Sequence, residues 1–270
     1  RPLRLSREAN HAATVAERAV RELDKGRGAR ALEGLARFLL RSEAIASSLI
    51  EGSAPSPQQV ALAELAQDED VRGFSDQARL VANNITVLRR ASEELARVDA
   101  VTVADVEALH RALLPDERHH GLRRVQNWIG GSSWHPLSAE FVPPPPELVP
   151  GLMADLVDYV NGSVHAPLVQ AGIVHAQFET IHPFTDGNGR VGRALIHTVL
   201  TRRGLTPSAV LPVSLVLATL RDRYVQGLTS YRYVGPPESD QAADGVAAWL
   251  DLFLHATTVA AARASLFGTQ

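Results

Sequence analysis

The chain has 270 residues, no cysteine, and 27 Lys+Arg against 30 Asp+Glu, for a formal net charge of −3. Disulfide scaffolds and cysteine-based metal or thiol chemistry are therefore excluded. The balanced charge argues against a general nucleic-acid binder while leaving room for a local basic site, and no run of apolar residues is long enough to predict a membrane span or signal peptide. A cytoplasmic protein of one or two domains is the default expectation.

The pattern is helical nearly throughout. Mixed charge among alanines predicts a helix over residues 7–24. After a break at Gly26 and Gly28, apolar residues at helical spacing in ARALEGLARFLLRSEAIASSLI predict a second, ended by Gly52, Pro55 and Pro57. Ser56 is a candidate N-cap with Pro57 in the first turn. Another helix is expected over 74–95, and one from Thr102, where Asp105 supplies a capping-box partner. Between Gly121 and Pro146 the pattern changes to short alternating runs around Gly130 and Gly131, then four prolines. That stretch predicts two short strands in a hairpin or flap, closed by a stiff extended connector. Helices resume over ELVPGLMADLVDYVN, PLVQAGIVHAQFETIH and VGRALIHTVLTRRG, the last ending at Gly204, and then over 213–233 and 241–264. The expected fold is all-α with a small β-hairpin flap. Residues 1–100 would form an N-terminal helical region that includes a helix at about 31–52, and residues 101–270 the core with its C-terminal helices.

The stretch HPFTDGNGR, His182 to Arg190, followed one turn later by Arg193, carries the chemistry. Gly187 and Gly189 allow consecutive backbone N–H groups to converge on one point, and at a helix N-terminus such groups favour an anion. Arg190 and Arg193 share a helix face, and two guanidiniums beside an amide nest suit a polyphosphate. Asp186 is suited to a hard cation such as Mg²⁺ shared with phosphate oxygens. His182 alone in the stretch loses its proton near neutral pH, which makes it the candidate base. Together these residues describe phosphoryl-type transfer. Asp-Gly-Asn-Gly by itself also suits a tight turn or a calcium loop, but the rest of an EF-hand spacing is missing, and no GxxxxGK[ST] is present. A metal hydrolase built on His165, His175 and His197 is a weaker reading, because no pair has the HExxH spacing.

His182-Pro183-Phe184-Thr185-Asp186-Gly187-Asn188-Gly189-Arg190-Val191-Gly192-Arg193 resembles the signature of Fic (Fido-superfamily) proteins, HPFx[D/E]GNGRxxR, with every expected position filled. The resemblance covers about residues 105–235. It implies transfer of AMP from ATP, with Mg²⁺, to a Ser, Thr or Tyr hydroxyl of a target protein. His182, Asp186, Asn188, Arg190 and Arg193 would be catalytic, with Asp186 the metal ligand. Phe184, Thr185, Asp186, Gly187, Asn188, Gly189, Arg190 and Arg193 would form the nucleotide site. Self-modification and a homodimer are further expectations of the resemblance. AMP removal, transfer of another nucleotide or phosphate-containing group, and a non-catalytic nucleotide-binding module are alternatives on the same scaffold.

SSLIEG, Ser47 to Gly52, resembles the inhibitory pattern [S/T]xxxE[G/N] of one class of that family. Ser47 and Glu51 share a helix face. By resemblance Glu51 pairs with Arg193 and keeps it from a γ-phosphate, with Ser47 and Gly52 seating the segment. The predicted flap would dock the target through Val125, Asn127, Trp128 and Ile129, by addition of a strand. RDRYVQGLTSYR has the mixed charge of a helix with a solvent face, so no direct nucleic-acid contact is expected.

Overall fold

Small hydroxyl side chains open several helices by accepting the backbone N–H groups that a first turn leaves unpaired. In the computed structural model, which describes residues 5–24, 29–67, 72–132, 134–162, 164–206 and 209–267, Ser6, Ser56, Ser75 and Thr102 all do so. Thr102 and Asp105 form a full capping box, and Pro57 follows Ser56 at the first helical position. The described helices are α1 (Arg7–Arg21), α2 (Ala29–Ile50), α3 (Pro57–Leu65), α4 (Asp76–Arg89), α5 (Val103–Leu113), α6 (Val149–Asn161), α7 (Pro167–Ile181), α8 (Asn188–Arg202), α9 (Val213–Thr219), α10 (Arg221–Tyr231) and α11 (Asp240–Phe267). The expected break at Gly26 and Gly28 lies outside the described residues.

At the centre, α7 packs on α8. Both are buried on nearly every side, which is why neither shows a clean polar stripe. Helices α2, α4 and α5 contact α8, while α1, α6, α10 and α11 contact α7. One apolar cluster runs from Ala13 on α1 to Ala264 on α11. By length and composition α11 could cross a membrane, yet 61% of its apolar window is buried, with Trp249 and Phe253 fully inside the fold.

Three expectations need correction. The fold is all-α as expected, but among the described residues there is no β-strand, and hence no β-hairpin flap. The 122–142 segment has one antiparallel bridge, between Ile129 and Phe141. Gly130 and Gly131 both turn left-handed (φ 75° and 70°), and a 3-10 turn at Pro136–Ser138 bends the return path. The Arg123 backbone N–H bonds Pro183 O in the motif loop instead of a facing strand, and the side chains of Arg123 and Asn127 also bond that loop's carbonyls. Residues 213–233 form two helices rather than one, because Leu220 leaves helical geometry at φ −110°, ψ 30°. Residues 90–97 continue α4 as a π turn and a 3-10 turn, and the wider turn offers the Ala91 carbonyl to the Thr198 hydroxyl of α8.

What seats α2 in this core is polar. Glu43 is fully buried; one carboxylate oxygen accepts the Ser214 backbone N–H at 2.8 Å. The other accepts the Ser214 hydroxyl and lies 3.1 Å from Nε2 of the fully buried His197 on α8. Removing one member of a buried, hydrogen-bonded polar cluster leaves the others unpaired. Glu43→Ala is therefore expected to lower unfolding free energy by about 3–5 kcal/mol, measured by urea denaturation.

Candidate active site

Helix α7 ends at His182, the only non-glycine residue at positive φ among the described ones (φ 49°, ψ 61°). A non-glycine residue in this region is uncommon and needs support from its surroundings. The support here is specific. The His182 N–H donates to Phe178 O at 2.8 Å, and its carbonyl accepts from Arg123 Nε at 2.9 Å and Asn127 Nδ2 at 3.3 Å. Arg123, 3% exposed, also donates to the carbonyls of Val125, Pro144 and Ile181, and its own N–H bonds Pro183 O.

Beyond His182 the loop closes on itself. Asn188 Oδ1 accepts the Phe184 N–H and its Nδ2 donates to Phe184 O, both at 2.8 Å, so this buried amide pins the loop. The Phe184 ring is fully buried and stacks on His110 with centroids 3.9 Å apart. His110 Nε2 lies 2.9 Å from Asp186 O, and Thr185 Oγ1 lies 3.1 Å from His119 Nδ1. Asp186 keeps its carboxylate at the surface, 58% exposed, with Oδ1 accepting the Gly187 N–H and 3.6 Å from Arg190. Gly187 has to be glycine on two counts: φ is 78°, and a Cβ would press within 2.9 Å of Leu113.

Helix α8 starts here, and α2 delivers a carboxylate to its first turn. A Schellman ending makes this possible: Gly52 (φ 84°) donates to Leu49 O and Ser53 to Ser48 O, which places Glu51 at the C-cap. Glu51 Oε1 accepts from Arg193 at 2.8 Å and lies so close over Gly189 that a Cβ there would collide with it. Arg193, 1% exposed, also donates to the Ser47 hydroxyl and carbonyl at 2.8 Å each, and reaches Tyr224 at 3.5 Å. Helix α2 thus brings Ser47 and Glu51 to Arg193, and Arg190 is buried beside them.

Among the proposed docking residues, Val125 is exposed, while the Trp128 indole N–H bonds Ser132 O. The Asn127 amide turns inward to His182 and Phe184. Ile129 forms the bridge to Phe141.

Burial pushes His182 down to about 4, with Arg232 adding to the effect, so the imidazole is neutral at neutral pH. Burial alone would raise Glu51, but Arg193 more than offsets it and holds the carboxyl below its usual range. Arg193 is held charged against its own burial, chiefly by Glu51. Burial drives Glu179, on the last turn of α7, up to about 7. His175 is pushed down to about 3 by burial and pairs with Tyr224 at 2.8 Å.

Sequence reasoning missed Arg123, His110, Glu43 with His197, and Glu179. For the last three the burial itself is the clue: a polar side chain inside a packed helix is tolerated only when it is paired.

Fold and loop together define a helical protein in which the start of the central helix α8, with two buried arginines, is covered by a carboxylate from a second helix. The sequence model of the Fic/DOC family matches residues 100–200 of this chain. It is similar to a probable protein adenylyltransferase of Aquifex aeolicus, 46% identical over 68 residues, 25% of this chain and 21% of that protein. It is 33% identical over 121 residues to the protein adenylyltransferase fic-1 of Caenorhabditis elegans, 43% of this chain and 22% of that protein. The matches thus span only about a fifth of these relatives' length. A crystal structure of a Fic family protein from Desulfovibrio desulfuricans superposes over 100% of this chain and 77% of its own, with TM-score 0.75 and 25% identity. A Fic domain containing signaling protein from Bacteroides thetaiotaomicron shares the fold at TM-score 0.74 and 18% identity, over 96% of this chain and 97% of its own.

The Glu179 shift has a consequence for stability. A carboxyl whose folded pKa is raised stabilises the fold at low pH, and that contribution is lost as pH rises through the folded value of about 7. Gln, neutral throughout, should not show this loss. Glu179→Gln is expected to raise the melting temperature relative to the parent at pH 8, with the gain shrinking at pH 5, measured by calorimetry at both pH values.

Proposed function

We propose that this protein is an adenylyltransferase that moves AMP from ATP to a hydroxyl of a protein, held in check by its own Glu51. The observation that carries the reading is the place of the Glu51 carboxylate. It sits over Gly189 at the start of α8, bonded to Arg193, where a helix N-terminus and two buried arginines favour an anion. The family match and the relatives' chemistry supply the rest of the support.

In this reading the phosphates of ATP lie across the first turn of α8, with Arg190 and Arg193 toward the terminal phosphates. Asn188 keeps the loop in shape from below, because both ends of its amide are bonded to Phe184. AMPylation in the superfamily generally uses Mg²⁺ with ATP. Among the described residues no group of three or more His, Asp or Glu could hold a metal ion. The exposed Asp186 carboxylate fits a hard cation only if phosphate oxygens complete the shell, as they do for Mg²⁺. When bound there, the ion would neutralise phosphate charge.

The protein's own residues do the remaining work. Neutral His182 accepts the proton of the acceptor hydroxyl, whose oxygen bonds the α-phosphorus as the bond to the bridging oxygen breaks and pyrophosphate leaves. The acceptor approaches beside His182, past the exposed Val125 and the edge of Trp128. Glu51 opposes all of this by filling the Arg193 guanidinium and the space over Gly189.

Transfer is tested with α-labelled ATP, Mg²⁺ and the full chain, first on the protein itself. A charge-assisted hydrogen bond of about 1.5–3 kcal/mol corresponds to roughly ten- to hundredfold in rate, so Glu51→Gly is expected to raise labelling by that factor. Adding His182→Ala should lower it again by roughly 10²–10⁴. Label from γ-labelled ATP on the protein would contradict transfer of AMP. A folded, ATP-binding Glu51→Gly variant that labels no faster than the parent would contradict the inhibitory role.

A further inference from the structure

We propose that Glu179 is a positioning residue for His182: its carboxylate holds the Nδ1 proton, leaves Nε2 free to accept one, and offsets the imidazolium that forms. In its kinetic part the proposal rests on the transfer reading above. The left-handed backbone at His182 turns the ring back over the last turn of α7, where Glu179 Oε2 lies 3.8 Å from Nδ1. Nδ1 of His182 and Oε1 of Glu179 are both buried and have no hydrogen-bond partner. Unpaired buried polar atoms are rare, and here two residues carrying them stand side by side. A shift of about 1 Å would bring Nδ1 and Oε2 to hydrogen-bond distance.

A second observation comes from α8. A Cβ on Gly192 would lie 2.8 Å from Glu179 Oε1, so the glycine within the GRVGR sequence leaves the room that this carboxylate occupies.

The surrounding charges explain why one is useful. Arg232, which donates to the Glu179 carbonyl, and Arg123 both disfavour a positive His182. Glu51 favours it from α2, while Arg193 on α8, Tyr224 on α10 and His175 on α7 complete the surroundings. When ATP takes Arg193 from Glu51, that carboxylate is displaced, and Glu179 remains as the buried one beside the base. The partner of a catalytic histidine acts in this way generally, fixing the tautomer and stabilising the charged ring without taking the proton itself.

The experiment uses the full chain carrying Glu51→Gly as parent, with Glu179→Met to remove the acceptor and Glu179→Gln to remove only the charge. Nitrogen-15 NMR of the histidine rings reads the His182 tautomer without ATP, with His182→Ala assigning the signal. The parent should show Nδ1–H, and Glu179→Met a shift of population toward Nε2–H. In the label assay, Glu179→Met should lose roughly tenfold or more in kcat with KM for ATP within about twofold, and Glu179→Gln should fall between it and the parent. An unchanged tautomer in Glu179→Met overturns the proposal even if no variant transfers AMP, so its failure is separable from failure of the transfer reading. A changed tautomer with parental kcat overturns it as well. Should Glu179→Met not fold, Glu179→Gln decides: parental kcat together with a parental pH profile counts against the proposal.

Discussion

A guanidinium that is 1% exposed has to find its partners inside the protein, and the arrangement around α8 follows from where Arg193 finds them. Burying a charge without compensation is far costlier than any single packing contact returns. The compensation comes from two other helices: Ser47 and Glu51 at the end of α2, and Tyr224 on α10. Those contacts fix the distance between an N-terminal helix and the central one. One of the guanidinium's partners, Glu51, is a carboxylate at the rim of the fold.

The loop below Arg193 is rigid for a different reason. Few of its polar groups are left for water. Asn188 closes a ring of hydrogen bonds with Phe184, Phe184 stacks on His110, and Arg123 gathers carbonyls from the loop and from the proline segment. Arg123 is what makes the 122–142 segment part of the site although it forms no sheet. A positively charged fork satisfying four carbonyls substitutes for a ladder, and it holds His182 in a backbone conformation that a histidine alone would rarely adopt.

Much of this was legible in the residues. The motif loop, the helix around it, the Ser47–Glu51 face and the Thr102 capping box are all local patterns, with partners three or four positions apart. Several contacts that escaped notice are long-range. Glu43 meets His197 and Ser214 across more than 150 positions, and Arg123 reaches Ile181 and His182 across almost 60. The expected strands failed because alternation around two glycines describes a bent loop as well as a hairpin, and only the destination of the backbone donors separates the two. Leu220 broke a helix without glycine or proline nearby, a turn that tertiary packing imposes and local sequence does not announce.

The two ends of α2 contacts differ in depth, and this sets how the site can open. Glu43 is locked under α8 and α9, whereas Glu51 sits at the C-cap, past the last helical residue, in a turn closed by Gly52. Separating Glu51 from Arg193 therefore requires rebuilding only the Ser48–Ser53 turn, a local opening of the kind that frayed helix ends undergo far more readily than whole elements move. The helix can stay docked while that carboxylate swings clear, so a latched and an unlatched form would share one scaffold and differ by a hinge a few residues long.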